Sequence, residues 1–331
     1  MKNACVIGVD GGNSKTDYYL FDLDGRKIDS IRSGTCSHEQ FKDGYISAKR
    51  VMGEQLGLLL SRNGLRAEDA AAAAFGLAGA DIASQKASLN RIIGELGFAR
   101  FAMDNDSFLG VKAGSESGSG ICSINGSGAC TGGISPSGRR LQIGGVGSEL
   151  SGDEAGGYYL ARRALRIVYD AFFRLGQPTA MTDPVMRLLG LDDKERYIEA
   201  VVEAAASRSL PYTELVTVLL EAAASGDEAA FAAVDHSARQ MALSAAGCIR
   251  GLDFGEEPVD IVMAGSVWVK AASPVMRDRF RHHVGSLSGQ ECRYVLLEAP
   301  PAAGAVLWAL ELAHGKPAEK TVRERVLGSV Q

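Results

Sequence analysis

Runs of apolar residues, alternating or continuous, divide the first hundred residues into strands and helices. The pattern predicts three strands at the start, joined by a Gly-rich turn and by the hairpin signal Asp24-Gly25, and then two further strands, each preceded by a helix. The predicted strands cover residues 4–9, 16–22, 27–31, 71–77 and 100–103, and the predicted helices cover 41–62 and 84–96. We therefore expect an antiparallel meander followed by two helix–strand units.

The same order begins again near residue 120, with strands predicted at 120–124, at 129–134 and near 141. The two halves also share a pair of glycine-containing turns. Asp10-Gly11-Gly12 leads to Gly25-Arg26 in the first half, and Asn125-Gly126-Ser127 leads to Gly138-Arg139 in the second half, over a shorter loop. Repetition of this kind indicates a duplicated domain. We predict an α/β protein with domains at 1–117 and 118–331, each a mixed sheet with flanking helices, around an interdomain cleft.

The second half is longer because helices are inserted into it. Apolar residues at helical spacing predict helices over 160–175 and from 227 to 249, and the segment between them is mostly helical, with a break at Pro211. We place this insertion at about 180–250. The remaining predicted strands cover 259–264 and 292–297, and the remaining helices cover 271–283 and 301–314.

Composition and charge narrow the possible partners. The 331 residues are 46% hydrophobic and 23% charged, which is typical of globular proteins, and the net charge of -5 comes without a dense basic run. We therefore expect no nucleic-acid or membrane partner. We find no export signal and no apolar run of about 20 residues, so a cytoplasmic location is expected. Glycine is concentrated, with 15 of 40 glycines between Gly110 and Gly157, which indicates close approach of the backbone to a ligand.

The first Gly-rich turn follows a predicted strand and can bind phosphate. Its sequence is Asp10-Gly11-Gly12-Asn13-Ser14-Lys15-Thr16. Successive backbone N–H groups in such a turn can hold phosphate oxygens, and Lys15 and Thr16 could reach them. Asp10 at the end of the strand could hold Mg²⁺ through water. An ordinary hairpin would explain this turn equally well.

The second turn, Asn125-Gly126-Ser127-Gly128, repeats this arrangement in the other half. Two such turns on opposing domains could hold one polyphosphate from both sides. A duplicated loop is harder to explain as a structural turn alone. The pair therefore favours nucleotide binding.

Carboxylates follow the strand predicted at 100–103, in the sequence Asp104-Asn105-Asp106. Ligands bind at the carboxyl ends of parallel strands, so a catalytic group is expected here. Asp106 could accept the proton of an attacking hydroxyl, whereas Asp104 could cap a turn. An Asx-rich turn without a catalytic role is the alternative.

Two further segments have the composition of ligand-binding loops. The glycine-rich segment 144–157 precedes the long helix, and we place Asp153 and Glu154 in the first turn of that helix. The late segment 262–268 is predicted as a strand, a turn at Gly265-Ser266 and a helix, which could lie against a purine. A plain N-cap and a plain strand–helix turn are the alternatives.

In this order the five segments resemble the ATPase superfamily of acetate kinase, sugar kinases, heat-shock chaperone ATPases and actin. Within it they resemble the family of N-acetylglucosamine kinase and the BadF/BadG-type activators. The resemblance implies duplicated actin-like, ribonuclease H-like domains, ATP and Mg²⁺ as cofactors, and Asp106 as catalytic base. It implies that Asp10 organises the metal and that the nucleotide is held by Gly11, Gly12, Asn13, Ser14, Lys15, Thr16, Gly126, Ser127, Gly128, Gly265 and Ser266. The sugar would contact Gly79, Asp106, Gly147 and Asp153.

The resemblance leaves three functions open. The first is an ATP-dependent kinase that phosphorylates a hydroxyl of an amino sugar: N-acetylglucosamine first, or glucosamine or N-acetylmuramate. The second is an ATPase that activates a 2-hydroxyacyl-CoA dehydratase or benzoyl-CoA reductase system, and the third is a non-catalytic sugar sensor. We expect the kinase, a phosphotransferase with an alcohol acceptor, acting as a homodimer.

Overall fold

The computed structural model describes residues 5–330, so Ala4 of the predicted opening strand lies outside it. Within this range the elements follow the predicted order. The strands are β1 (Cys5–Gly11), β2 (Lys15–Asp22), β3 (Lys27–Gly34), β4 (Ala70–Leu77), β5 (Phe101–Asp104), β6 (Gly120–Asn125), β7 (Ala129–Ile134), β8 (Arg140–Gly144), β9 (Val259–Ala264) and β10 (Cys292–Leu296). The helices are α1 (Tyr45–Ser61), α2 (Ala83–Gly94), α3 (Ser107–Gly114), α4 (Gly157–Phe173), α5 (Thr182–Leu188), α6 (Tyr197–Ala206), α7 (Tyr212–Ala224), α8 (Glu228–Gly251), α9 (Ser266–Lys270), α10 (Val275–Ser288), α11 (Ala302–His314) and α12 (Lys320–Ser329).

The two sheets have the same topology. The first sheet has the order β3-β2-β1-β4-β5, with β1 antiparallel to β2 and parallel to β4. The second has the order β10-β9-β6-β7-β8, with β6 antiparallel to β7 and parallel to β9. Strand for strand, β6 to β10 repeat β1 to β5. The predicted duplication of an α/β domain with a mixed sheet is therefore confirmed.

Helices α3 and α11 cross between the sheets. α3 follows the first sheet in sequence but packs on β6, β7 and β9 of the second, while α11 follows the second sheet and packs on β1 and β4 of the first. The crossing is close because a Cβ added at Gly304 of α11 would lie 2.0 Å from the carbonyl oxygen of Leu109 in α3. Each domain thus supplies a helix to the core of the other.

The domain boundary near residue 118 remains a prediction. α11 and α12, which we assigned to the second domain from sequence, bury Trp308 and Val326 with Val6 and Phe21 of the first sheet. The first domain, as the structure builds it, is therefore the first sheet together with α1, α2 and these two C-terminal helices.

The outer layers complete the cores. Met52, Leu56 and Leu59 of α1 pack with Ile7 and Val9 of β1. In the second domain α8 covers β6, β7 and β8, and α10 packs along α8. The helices α5 to α8 occupy the segment in which we predicted inserted helices, and Pro211 directly precedes α7.

Helices α3 and α12 were not predicted from the sequence, and α4 begins after the residues that we placed in its first turn. α3 was not predicted, since Gly110 and Gly114 lower the intrinsic helix propensity of this eight-residue segment. The short α9 follows the Gly265 turn, as the predicted strand–turn–helix segment at 262–268 requires. α4 begins at Gly157, so our placement of Asp153 and Glu154 in its first turn is wrong. Both residues precede the helix.

No helix within residues 5–330 combines the length and the apolar character that crossing a bilayer requires.

The close crossing predicts opposite effects for two Gly-to-Ala substitutions in helices. Gly304→Ala should lower the free energy of unfolding by about 1–3 kcal/mol, because the methyl group forces α3 and α11 apart. Gly285→Ala in α10 has open space around the new Cβ and should raise it by about 0.5–1 kcal/mol. Urea unfolding of both variants measures this. Equal stability of Gly304→Ala and the wild type would contradict the described crossing.

Candidate active site

Two cavities lie along the cleft and meet at one turn. The smaller cavity, about 220 Å³, is lined by loops that follow β1, β4 and β5 in the first domain and by β6, β7 and the turn between them in the second. The larger cavity, about 320 Å³, lies within the second domain, between the starts of α4 and α9 and the side of α7. Gly126 and Ser127 line both cavities. A ligand that occupies both must cross this turn.

The turn between β6 and β7 is held by the start of α4. The amide of Gly157 donates to the carbonyl of Gly126 at 2.8 Å, and the amide of Tyr158 donates to the carbonyl of Ser127 at 3.1 Å. Gly128, the third predicted phosphate-binding residue here, lines the smaller cavity. The carbonyl side of the turn is thus fixed on α4.

The late turn at Gly265 packs against the same place. Gly265 has a φ of 97°, and a Cβ added to it would lie 2.6 Å from the carbonyl group of Asn125. Ser266, predicted for adenosine, lines the larger cavity together with Tyr158 and Tyr212, whose rings meet edge to face at 4.6 Å. The sequence analysis did not identify these two tyrosines.

The first turn closes the hairpin of β1 and β2. The amide of Gly12 donates to the carbonyl of Lys15 at 2.9 Å, which leaves Asn13 and Ser14 exposed at the tip. Both tip residues line the smaller cavity. The turns of the two domains therefore face one cavity from opposite sides.

The other predicted residues of this turn have partners inside the first domain. Lys15 forms an ion pair with Asp17 at 2.9 Å, and the buried hydroxyl of Thr16 accepts a hydrogen bond from the amide of Cys36 at 2.9 Å. Gly11 is buried at the end of β1. Lys15 and Thr16 line neither cavity described above.

Asp106 stands at the start of α3 without capping the helix. It occupies the N-cap position but makes no side-chain capping bond, and Asn105 instead accepts from the amide of Ser107 at 3.0 Å. Burial raises the pKa of Asp106 to about 6, and the charge of Asp81 acts in the same direction. The result is a carboxylate that is ionised at neutral pH yet more basic than an ordinary aspartate.

Asp10 is close enough to share this electrostatic environment. Burial raises the pKa of Asp10 to about 7, with additional contributions from the charges of Asp106 and Asp17. Lys15 and Arg32 act in the opposite direction without cancelling the effect. The end of β1 therefore concentrates negative charge that a bound cation would relieve.

Asp81 is a cavity residue that the sequence analysis missed. Its Oδ1 accepts a hydrogen bond from Asn105 at 2.9 Å and another from Gln142 of β8 at 2.8 Å. Burial raises its pKa to about 6. Gly79, predicted for the sugar, lines the same cavity two residues earlier.

Asp104 is held by two cations. It pairs with Lys86 of α2 at 2.6 Å and with Arg140 of β8 at 3.1 Å, and it lines neither cavity. These contacts agree with the structural alternative that we considered for Asp104. Of the two carboxylates, Asp106 is the one that faces the cavity.

The segment 144–153 forms a loop gathered around Asp153. The carboxylate of Asp153 accepts from the amides of Gly145 at 3.0 Å and Gly147 at 2.8 Å, and from the hydroxyl of Ser151 at 2.9 Å. Gly145 lines the smaller cavity, whereas Gly147 and Asp153 do not. These two predicted sugar-contacting residues therefore do not reach the smaller cavity in this structure.

Residues 7–309 match the model of the BadF/BadG/BcrA/BcrD ATPase family. The chain belongs to this family. The match covers nearly the whole chain, so the resemblance drawn from the five segments is confirmed.

Similar proteins within and around this family are named as kinases. The N-acetylmuramic acid/N-acetylglucosamine kinase of Clostridium acetobutylicum is 26% identical over 306 residues, which cover 92% of this chain and 97% of that protein. The N-acetyl-D-glucosamine kinase of Dictyostelium discoideum is 24% identical over 238 residues, covering 69% and 74%. The structure of a proposed N-acetylglucosamine kinase from Chromobacterium violaceum has a TM-score of 0.64 at 24% identity, covering 92% and 98%.

These comparisons confirm two of the predictions. The solved structure supports the actin-like ATPase fold. The curated relatives are sugar kinases by name, which agrees with the prediction of a phosphotransferase with an alcohol acceptor. Within residues 5–330 no group of three or more His, Cys, Asp or Glu side chains is arranged to hold a metal ion.

Proposed function

We propose that this protein transfers the γ-phosphoryl group of ATP to a hydroxyl of an amino sugar, with N-acetylglucosamine or N-acetylmuramate as first candidates and glucosamine as the next. One observation carries the proposal: two cavities of ligand size meet at the Gly126–Ser127 turn, and the basic carboxylate of Asp106 lies on the smaller one. The names of the curated relatives support the sugar class.

The nucleotide would extend across the shared turn. Its adenosine would occupy the larger cavity against Gly265, Ser266 and the Tyr158 ring, and its phosphates would follow Gly126 to Gly128. Backbone N–H groups in turns of this kind bind anionic oxygens. On the first-domain side, Gly11, Gly12, Asn13 and Ser14 would bind the phosphates. Lys15 and Thr16 would not, because their side chains already have partners.

Asp10 would hold Mg²⁺. A hard cation that keeps most of its water takes one or two carboxylates in such sites, and the raised pKa of Asp10 reflects a position that favours added positive charge. When bound, the ion would neutralise charge on the phosphates.

The sugar would occupy the smaller cavity. Gly79, Asp81 and Asn105 form its first-domain wall and Gly145 part of its second-domain wall. A wall that contains a carboxylate and an amide suits a ligand rich in hydroxyls, because hydroxyl groups can both donate to the Asp81 carboxylate and exchange hydrogen bonds with the Asn105 amide. Asp153 and Gly147 would act by fixing the loop that carries Gly145.

Asp106 would act as the general base. Phosphoryl transfer depends mostly on positioning and charge stabilisation, and the acceptor hydroxyl must lose its proton during the reaction. That proton would move to a carboxylate oxygen of Asp106 as the hydroxyl oxygen bonds to phosphorus and the bond to the leaving ADP breaks. A pKa of about 6 suits a base that works near neutral pH.

The activator alternative has no such observation behind it. An iron–sulfur cluster is held by a set of Cys thiolates, and within residues 5–330 no three or more His, Cys, Asp or Glu side chains are grouped to hold a metal. The kinase is therefore the function that these observations favour.

Removal of the base should reduce turnover without unfolding the protein. Asp106→Asn keeps the shape of the side chain, so kcat for sugar-dependent ADP release should fall by roughly 10² to 10⁴ with small changes in KM. The variant should melt no lower than wild type at pH 8, because it removes an ionised buried carboxylate.

Asp104→Asn is the matched comparison and should retain most of kcat. If Asp106→Asn keeps near-native kcat, or if Asp104→Asn loses it instead, the assignment of the base is wrong.

Protonation of Asp106 at low pH should reduce kcat/KM for the sugar. Because Asp106 must be ionised and burial raises its pKa to about 6, kcat/KM for the sugar should fall as pH decreases through about 6, well above the pH at which an ordinary aspartate titrates. Initial rates between pH 4.5 and 8.5 at saturating Mg-ATP measure this. A profile that stays flat down to pH 5 would contradict the description of Asp106.

A further inference from the structure

The edge strand β8 of the second sheet reaches across the cleft to the first domain. Arg140 and Gln142 are two residues apart, so their side chains leave the same face of the strand. Both end on carboxylates of the first domain: Arg140 on Asp104 at the end of β5, and Gln142 on Asp81 in the loop after β4. One strand thus contacts two loops at the carboxyl edge of the opposite sheet.

The Gln142 contact joins three segments at one oxygen. Asp81 Oδ1 accepts from Gln142 of the second domain at 2.8 Å and from Asn105 of the first at 2.9 Å. Asn105 directly precedes the proposed base. A displacement of β8 would therefore also displace the loop that carries Asp106.

The Arg140 contact is shielded from solvent on several sides. Its guanidinium lies 4.2 Å from the ring centre of Trp308 in α11 and 5.5 Å from that of Phe108 in α3. The side chains of Arg140 and Asp104 are 28% and 13% exposed. Such a partly buried, stacked pair is screened less by water and salt than a surface ion pair.

We propose that β8 is an interdomain brace, in which Arg140 and Gln142 are positioning residues that hold the sugar side of the cleft closed. Neither residue lines the cavities, and neither is assigned to the reaction above. The brace acts because the loop 78–81 forms one wall of the smaller cavity while β8 leads into Gly145 on the opposite wall. The effect on sugar binding rests on the proposed function, but the brace itself does not.

The interdomain contact is tested most directly by Gln142→Glu, which keeps the side-chain shape and places a carboxylate against Asp81. At pH 8 both groups are ionised, since the pKa of Asp81 is raised only to about 6. Their repulsion should open the ligand-free cleft, and small-angle scattering should show a larger radius of gyration than that of wild type. Gln142→Ala, which removes the donor without adding charge, should change it in the same direction by less.

Two further variants separate this mechanism from general damage. Arg139→Ala changes the net charge by the same amount as Gln142→Glu, but the side chain of Arg139 donates to the Gly251 carbonyl within the second domain at 3.4 Å, so the radius should not change. Adding Asp81→Asn to Gln142→Glu should restore the wild-type radius, because the amide introduced at position 81 can donate to the carboxylate introduced at position 142.

Scattering needs neither ATP nor sugar, so a failed kinase assay would leave its result intact. Where sugar-dependent turnover is found, Gln142→Glu should raise the sugar KM by about 5- to 150-fold and kcat should change much less, because the closed state becomes less populated while the base remains. An unchanged radius in both Gln142 variants would overturn the brace. So would expansion in Arg139→Ala, or no recovery on adding Asp81→Asn.

Discussion

The crossing of α3 and α11 is the contact on which the arrangement of the site depends. Gly304 lets the backbone of α11 approach the carbonyl of Leu109, so each helix can pack on the sheet of the other domain. α3 leaves the first sheet and enters the second, and Asp106 stands at its first turn. A residue in that position lies on the smaller cavity, which both domains line. Because α3 and α11 pack on each other and each packs on the sheet of the other domain, the two duplicated domains are held together at the base of one cleft.

Three carboxylates with raised pKa values lie near this cleft. Burial raises the pKa values of Asp10, Asp81 and Asp106, so ionising each of them in the ligand-free fold costs free energy. Because their folded pKa values are raised, their contribution to stability is complete only below their unfolded pKa near 4 and is lost as pH rises through about 6 to 7. Functional sites often retain such unfavourable groups, because the bound ligand supplies the compensating charge or donors.

Much of this architecture could be predicted from the sequence because it repeats. The matching turns at Gly11 and Gly126 predicted the duplication, which the topology of the two sheets confirms. α3 could not be predicted in this way: Gly110 and Gly114 lower its helix propensity, and the packing on the opposite sheet that stabilises the helix cannot be read from the segment itself. Asp81 was missed because it lies beyond the end of its strand and gains its role from Gln142, 61 residues later. Lys15, Thr16 and Asp153 were assigned by motif position, whereas their partners within the fold depend on local packing that a motif does not specify.

The central claim, phosphoryl transfer from ATP to an amino sugar, is tested most directly by ADP release in the presence of different sugars. Purified protein with Mg-ATP would be supplied with N-acetylglucosamine, N-acetylmuramate, glucosamine, N-acetylmannosamine or glucose, and the phosphorylated product identified by mass. We predict stoichiometric ADP and sugar phosphate with at least one amino sugar at a kcat/KM well above that for glucose. ATP hydrolysis at one slow rate, whatever sugar is present and with no sugar phosphate formed, would contradict the account.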